Sequence, residues 1–368
     1  MKSLRKTQFV DGVCLKSFAL VFCLASTQAY ATTQFYEIGK LNAPTSATQL
    51  IYSSTYNSLI IKNSASAIAT VDLGTSNTSI HFSNWNFTDM SISPSSGRYV
   101  FAADYGGENI GYGTPLNQSY VHRLDLSNGT WETKSTYIAG NIEAVSDNQF
   151  ILKSKDQWVT FTNNSWGPGS AATILNSSSG YWGPGYYAGV YGGDFRYDPA
   201  TGRLLHGNAG ISSDEIQAFK LVNNNFFKQE GSGIYGTAHG YNCCYGAPIS
   251  LATDSSAVYY GRLQVDPLDV SHNLRIFPEV IYAATGDIAF GNGKYYDAHT
   301  GQLLGTLGFD TTVYGLGASG TEFWAYDSSQ NMLRHFSITP VPEAETYAMM
   351  LAGLGLVGLM AHRRRKLV

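Results

Sequence analysis

The chain has 368 residues, carries 23 Lys and Arg against 27 Asp and Glu for a net charge of −4, and is 43% hydrophobic. That length and apolar content suffice for one large domain or two small ones with a proper core, which excludes a disordered chain. The acidic balance leaves no basic footprint, so nucleic acid is not an expected partner, while 39 Gly, 25 Tyr and only 14% charged residues favour short strands and tight turns over long helices.

At the N-terminus, Lys2, Arg5, Lys6 and Lys16 form a basic region, Ser17 to Ser26 a short apolar core, and Ala29-Tyr30-Ala31 a small-x-small pattern. Together they predict a signal peptide over residues 1–31, cut by signal peptidase after Ala31 with Ala29 and Ala31 as the recognised pair. Phe22 stands where a lipoprotein signal needs a small residue before Cys23, so lipidation is not expected.

Residues 32–338 are a succession of strand-like runs separated by Gly, Asn, Asp and Ser, among them RYVFAA (Arg98 to Ala103), YVHRLDL (Tyr120 to Leu126), EIQAFKL (Glu215 to Leu221) and TEFWAY (Thr321 to Tyr326). Lining up the strands that precede polar turns, near Asp72, Asp125, Thr162, Leu221, Val265, Asp297 and Asp327, reveals a loose repeat of about forty residues. A second phrase recurs as Ser93-Pro94-Ser95-Ser96-Gly97-Arg98 and Asp198-Pro199-Ala200-Thr201-Gly202-Arg203. The expectation is an all-β fold, a β-propeller of seven blades followed by one C-terminal hydrophobic helix; a pair of β-sandwiches or a β-solenoid are the competing architectures.

Within that body, the tract Tyr181 to Asp198 sets aromatics between glycines. Tyr181, Trp182, Tyr186 and Tyr187, with Asp194 nearby, are candidate carbohydrate contacts, because aromatic faces pack on sugar rings. Cys243 and Cys244 are adjacent thiols in an exported and therefore oxidising setting, either joined as a vicinal disulfide, pointing to opposite faces of a strand, or paired with another chain. The histidines show no ligand-like spacing, and Asp266 and Asp269 read as a solvated turn, so no metal and no cofactor are expected. No Gly-x-Ser-x-Gly elbow, phosphate loop or dinucleotide fingerprint occurs. Carboxylates distant in sequence leave glycoside cleavage open at this point: an acidic cluster converging on the axis favours an enzyme, a flat aromatic face a binder.

The C-terminus is different in kind. The uncharged run from Tyr347 to Ala361 is shorter than the about twenty residues a membrane span needs. Glu343 and Glu345 precede it, and Arg363, Arg364, Arg365 and Lys366 follow. The basic cluster belongs on the cytoplasmic side, which places everything before it outside the inner membrane.

Val341-Pro342-Glu343, a Leu/Gly-rich apolar run and an Arg-rich end resemble the PEP-CTERM sorting signal of Gram-negative bacteria, also known as the ice-binding protein C-terminal motif. Ala344 stands where that signal usually has a second Pro. The resemblance assigns residues 339–368 to a sorting and transmembrane segment and implies that exosortase removes it near Pro342, leaving the protein at the cell surface or extracellular. The body phrases are similar to YVTN and quinoprotein-like propeller repeats. Tyr296 to Leu304 resembles the repeat of pyrroloquinoline-quinone dehydrogenases, but Gly305 stands where those repeats have Trp and no calcium-binding carboxylates are found. The expected function is therefore that of a non-enzymatic propeller with a binding or structural role in the envelope or exopolysaccharide. The alternative is an extracellular propeller enzyme acting on a glycan, or a quinoprotein dehydrogenase.

Overall fold

A computed structural model describes residues 33–63, 67–81, 86–105, 119–136, 138, 140–154, 161–167, 173–174, 176–177, 193–208, 215–222, 225–230 and 247–340. Phe35–Ile338 form one compact unit. Its strands make seven sheets, each a blade of a β-propeller.

The first strand, β1 (Thr33–Asn42), belongs to the last blade. Blade I is β2 (Gln49–Ser53), β3 (Ser58–Lys62), β4 (Ile68–Asp72) and β5 (Asn77–His81). Blade II is β6 (Phe87–Ile92), β7 (Tyr99–Asp104), β8 (Ser119–Asp125) and β9 (Thr130–Thr136). Blade III is β10 (Asn141–Ser146), β11 (Gln149–Lys153), β12 (Phe161–Ser165) and β13 (Thr173–Ile174). Next comes β14 (Asn176–Ser177), which lies parallel on the outer edge of blade IV beside β18 (Asn225–Glu230), beyond β15 (Phe195–Asp198), β16 (Arg203–Asn208) and β17 (Glu215–Val222). Blade V is β19 (Ile249–Leu251), β20 (Val258–Tyr260), β21 (Leu263–Val265) and β22 (Asn273–Ile276). Blade VI is β23 (Ala283–Ala284), β24 (Ile288–Phe290), β25 (Lys294–Asp297) and β26 (Leu303–Thr306). Blade VII is β27 (Tyr314–Leu316), β28 (Glu322–Asp327) and β29 (Met332–Pro340), with β1 as its outermost strand.

The pairing of β1 with β29 closes the ring, because it ties the two ends of the propeller into one sheet. First strands of consecutive blades are neighbours all the way round, from β2 through β6, β10, β15, β19, β23 and β27 back to β2. Since successive strands of a blade are antiparallel, turns between first and second and between third and fourth strands open on one face of the disc. Turns between second and third strands, and the links between blades, open on the other.

Local chemistry explains why the hairpins form where they do. Asp125 accepts the Ser127 N–H through its carboxylate and the Gly129 N–H through its carbonyl, and Gly129 sits at φ 70. The same five-residue turn recurs at Asp297, whose carboxylate takes the His299 and Thr300 N–H groups while Gly301 at φ 74 closes onto its carbonyl. Ser93 to Gly97 and Asp198 to Gly202 repeat it, which accounts for the recurring phrase in the sequence. A short side-chain acceptor starts the turn and a residue tolerant of left-handed backbone ends it. Because any tight hairpin can use this chemistry, the turns do not mark a constant position in the blade. The Asp72, Asp125 and Asp297 turns link third to fourth strands, whereas the Asp327 turn links second to third, so the last of the aligned repeat units is out of register with the others.

The apolar core is divided into layers between blades, which is why strands covered on both faces carry near-continuous apolar runs. Leu50, Leu59 and Ile61 of blade I meet Trp324, Tyr326 and Leu333 of blade VII. Ile60 and Ile68 meet Met90 and Val100 between blades I and II, and Phe101 and Val121 meet Ile142 and Phe150 between II and III. Leu205 and Ile216 meet Ile249 and Val258, Tyr259 meets Ala284 and Tyr296, and Phe290 meets Phe323 and Phe336 in the layers that follow.

One glycine is fixed by both backbone and space. Gly293 has φ 67, and a Cβ there would overlap the Phe309 carbonyl oxygen. Gly129, also left-handed, has nothing within 4 Å of the same position. Gly293→Ala is expected to cost about 3 kcal/mol or more, against about 1 kcal/mol for Gly129→Ala, because only the first adds a clash to the backbone strain. Urea midpoints of the two variants measure the difference, and equal losses would refute it.

Candidate functional site

The starts of the innermost strands gather polar side chains from four blades around the axis. Gln49 begins β2, Asp89 lies in β6, Asn141 and Glu143 in β10, and Asp194 and Arg196 flank Phe195 at the start of β15. Their hydrogen bonds follow a repeated plan. The Gln49 side-chain oxygen accepts the Met90 N–H at 3.1 Å, the Asp89 carboxylate the Ile142 N–H at 3.1 Å, and the Asp194 carboxylate the Ile249 N–H at 2.9 Å. In each case a side chain near the start of one inner strand takes a backbone donor on the inner strand of the next blade.

Asp89 is the centre of the plan. One of its oxygens accepts from Gln49 Nε2 at 3.0 Å and from the Met90 N–H at 2.9 Å. The other accepts from Asn141 Nδ2 at 3.3 Å and from Ile142. One carboxylate thus joins three blades. Glu143 continues the chain: Oε2 accepts from the Ser91 hydroxyl and Oε1 from Arg196 Nη1, each at 3.1 Å. Arg196 also reaches Asp194 Oδ1 at 3.2 Å.

The seam between blades III and IV is more polar than the layers around it. Lys153, Asn163, His206 and Gln217 are buried there with Ile151, Phe195, Leu204 and Phe219. Lys153 Nζ donates to the Gly193 carbonyl. Burial, reinforced by the nearby Lys153 charge, holds His206 well below the usual imidazole range, so it is neutral at physiological pH.

Electrostatics sharpen the picture. Burial pushes the Glu143 carboxyl up to about 8, against the opposing pull of Arg196 and with help from Asp89 and Asp194. Burial raises Asp89 as well. Arg196 is held charged by Asp194, Glu143 and Asp89 in spite of its own burial cost. Every carboxylate oxygen around the guanidinium already accepts a hydrogen bond from the protein. Glu143 as a titrating group of the inner ring was not visible in the sequence; NIEAVS reads there as an ordinary strand start, and only the approach of Asp89 and Arg196, each more than fifty residues away, marks it.

Of the candidate carbohydrate, cysteine, cleavage and sorting residues, Asp194 is the one within the described residues. Its carboxylate serves Ile249, Phe195 and Arg196 in the interior. Tyr181, Trp182, Tyr186, Tyr187, Cys243, Cys244, Ala29, Ala31, Val341, Pro342, Glu343, Arg363, Arg364, Arg365 and Lys366 lie outside the described residues, as does the expected C-terminal helix. No helix among the described residues is long and apolar enough to cross a membrane. Asp266 and Asp269 accept the Leu268 and Ser271 N–H groups as turn residues, and no group of three or more His, Cys, Asp or Glu among the described residues is placed to hold a metal ion. At Gly305, where the quinoprotein repeat has Trp, any Cβ would collide with the Tyr295 hydroxyl.

Seven four-stranded blades, one carrying an extra edge strand, closed by an N-terminal strand define the body as a seven-blade β-propeller. Residues 340–365 match the PEP-CTERM protein-sorting motif, so the chain joins a propeller to an export and sorting signal. Among solved structures, the chain is similar to the β-propeller domain of Myceliophteria thermophila Cps50 (Swd1), with 14% identity, 82% of this chain and 100% of that one covered, and a TM-score of 0.58. It is also similar to a chain of the mitotic checkpoint complex, with 10% identity, 92% and 97% covered, and a TM-score of 0.58. At these identities the likeness is one of fold alone. No curated protein matches the chain.

Proposed function

We propose that this is a surface propeller, processed by exosortase through its C-terminal segment, that acts without enzymatic activity as a binding or structural module of the cell envelope or exopolysaccharide. The observation that carries the reading is the sorting motif at 340–365, which takes over where β29, the strand paired with β1 at the ring closure, comes to its end. The inner carboxylates favour a binder over a glycan-cleaving enzyme, because their oxygens are committed to holding blades together. The aromatic residues of the 181–187 tract supply, in sequence, the chemistry that packs on sugar rings.

The test is to express the full chain with and without the exosortase of its host and to compare intact mass and cell fraction. The expected result is loss of the segment beyond about Pro342 only when the enzyme is present, with the product retained by the host's own exopolysaccharide. Persistence of the tail in both strains sinks the sorting reading. Release of new reducing ends from that polysaccharide by the purified product sinks the non-enzymatic one.

A further inference from the structure

The strand that ends the propeller is also the strand that leads into the sorting motif. β29 lies between β1 and β28 in blade VII, and the motif begins at residue 340, its last position. Pairing with β28 runs from Asp327↔Met332 to Glu322↔Ser337, and the Ile338 N–H then donates to the Thr321 carbonyl at 2.7 Å. Thr321 lies in the turn between β27 and β28, so β29 ends on the face where first-to-second and third-to-fourth turns open. The Ile338 side chain packs into the apolar layer between blades VI and VII, with Phe290, Phe323 and Phe336.

The first strand of the propeller supplies the other half of this grip. Phe35 of β1 enters the same layer, its ring centroid 4.1 Å from that of Tyr295, 5.1 Å from Phe323 and 5.7 Å from Phe290. Glu37 of β1 accepts from Arg334 of β29 at 3.1 Å. Only about 14 Å of chain, at about 3.5 Å per residue, joins Ile338 to Pro342. An enzyme that cuts near Pro342 therefore works within that reach of blade VII. It also needs the residues before the cut extended, with their backbone groups unpaired. β29 presents those residues already paired.

We infer that the closed ring restrains its own sorting: removal of the C-terminal segment waits for the end of β29 to peel away from β1 and β28. This restraint presupposes the exosortase processing proposed above. Cleavage of a briefly opened segment follows the population of the open form when opening and closing are fast. The Phe35 ring lowers that population by anchoring β1 in the layer that also holds Ile338. A residue at the start of the propeller thus governs a cut made just beyond its end. Ring closure and sorting compete: a chain whose β1 has not docked is cut quickly, and a closed one keeps its tail for longer.

The test follows tail loss from the full chain by pulse-chase in the host that carries its exosortase. One variant has about six Gly and Ser residues inserted between Pro340 and Val341, which moves the cut away from the propeller along a flexible linker. The second is Phe35→Ala, and the control is Ile80→Ala on the outer strand of blade I. The expected half-time is about tenfold shorter for the insertion and about threefold shorter for Phe35→Ala, with the control unchanged. A half-time for the insertion equal to or longer than that of the parent overturns the restraint and leaves sorting standing. Acceleration by the insertion without any by Phe35→Ala overturns the part assigned to β1. The insertion leaves the propeller sequence intact, so it decides the outcome where Phe35→Ala does not fold. Persistence of the tail in every protein overturns the sorting reading and the restraint with it.

Discussion

Asp89→Ala is expected to lower the stability of the propeller by about 3–4 kcal/mol, because it removes one carboxylate that serves donors from blades I, II and III. Asp89 is 6% exposed and Ile142 not at all, so water cannot replace the lost acceptor at the Ile142 N–H. Met90 is better protected, since the Gln49 oxygen also takes its N–H. Asp89→Asn keeps the shape and one acceptor but turns an NH2 group towards donors on one side, and is expected to cost about half as much. Chemical denaturation monitored by circular dichroism ranks the three proteins; a midpoint for Asp89→Ala within error of the parent would show that the latch does not hold the ring.

The second large effect is expected at the Glu143–Arg196 pair and depends on pH. Arg196→Met leaves Glu143, Asp194 and Asp89 without their cation. The loss at neutral pH is expected to be about 2–3 kcal/mol, less than the about 3–5 kcal/mol of a sealed pair because the Arg196 side chain is 30% exposed. Glu143 sets the sign of the pH effect. Its folded-state carboxyl is raised from 4.5 to about 8, so the folded chain holds this proton over a range in which the unfolded chain releases it. The associated stability is fully present below about pH 4.5 and is lost as pH rises towards 8. Asp125 behaves oppositely: its bonds from Arg98 and Ser127 keep it below the usual carboxylate range, and the stability it contributes is lost only in stronger acid. Glu143 by itself therefore favours mildly acidic buffer, whereas His206, held neutral in the fold, loses stability as pH falls below the usual imidazole range. Glu143→Gln, which retains an acceptor for Ser91, should flatten the decline between pH 5 and 8 and soften the effect of Arg196→Met. An unchanged pH profile in Glu143→Gln would mean that this carboxyl titrates normally in the fold.

Much of the architecture was legible along the chain because its signals are local. The turn at Asp125 is built within five residues, by bonds from Ser127 and Gly129 to Asp125, and the phrase containing Asp198 and Gly202 signals a hairpin wherever it occurs. Seven such strand endings gave the right number of blades. The same locality explains the error of register at Asp327: its carboxylate accepts the Ser329 and Gln330 N–H groups just as Asp297 accepts His299 and Thr300, although the two turns occupy different places in their blades.

The polar ring had no comparable signature. Gln49, Asp89, Glu143 and Arg196 stand in strands of ordinary composition, and apart from the Met90 N–H beside Asp89 and the Asp194 carboxylate beside Arg196 their partners are distant in sequence. Their bonds span 41 residues from Gln49 to Met90, 53 from Asp89 to Ile142 and 55 from Asp194 to Ile249.

The amino-acid sequence by itself thus determined strand content, turn positions and the C-terminal sorting signal, because each depends on residues a few positions apart: side-chain acceptors, left-handed turn residues, and an apolar run ahead of a basic cluster. Tertiary structure alone decided which carboxylates converge, which proton is held into the neutral range and which face the chain leaves by. Those properties arise from desolvation and contact between strands about fifty residues apart, and they exist only once neighbouring blades pack together.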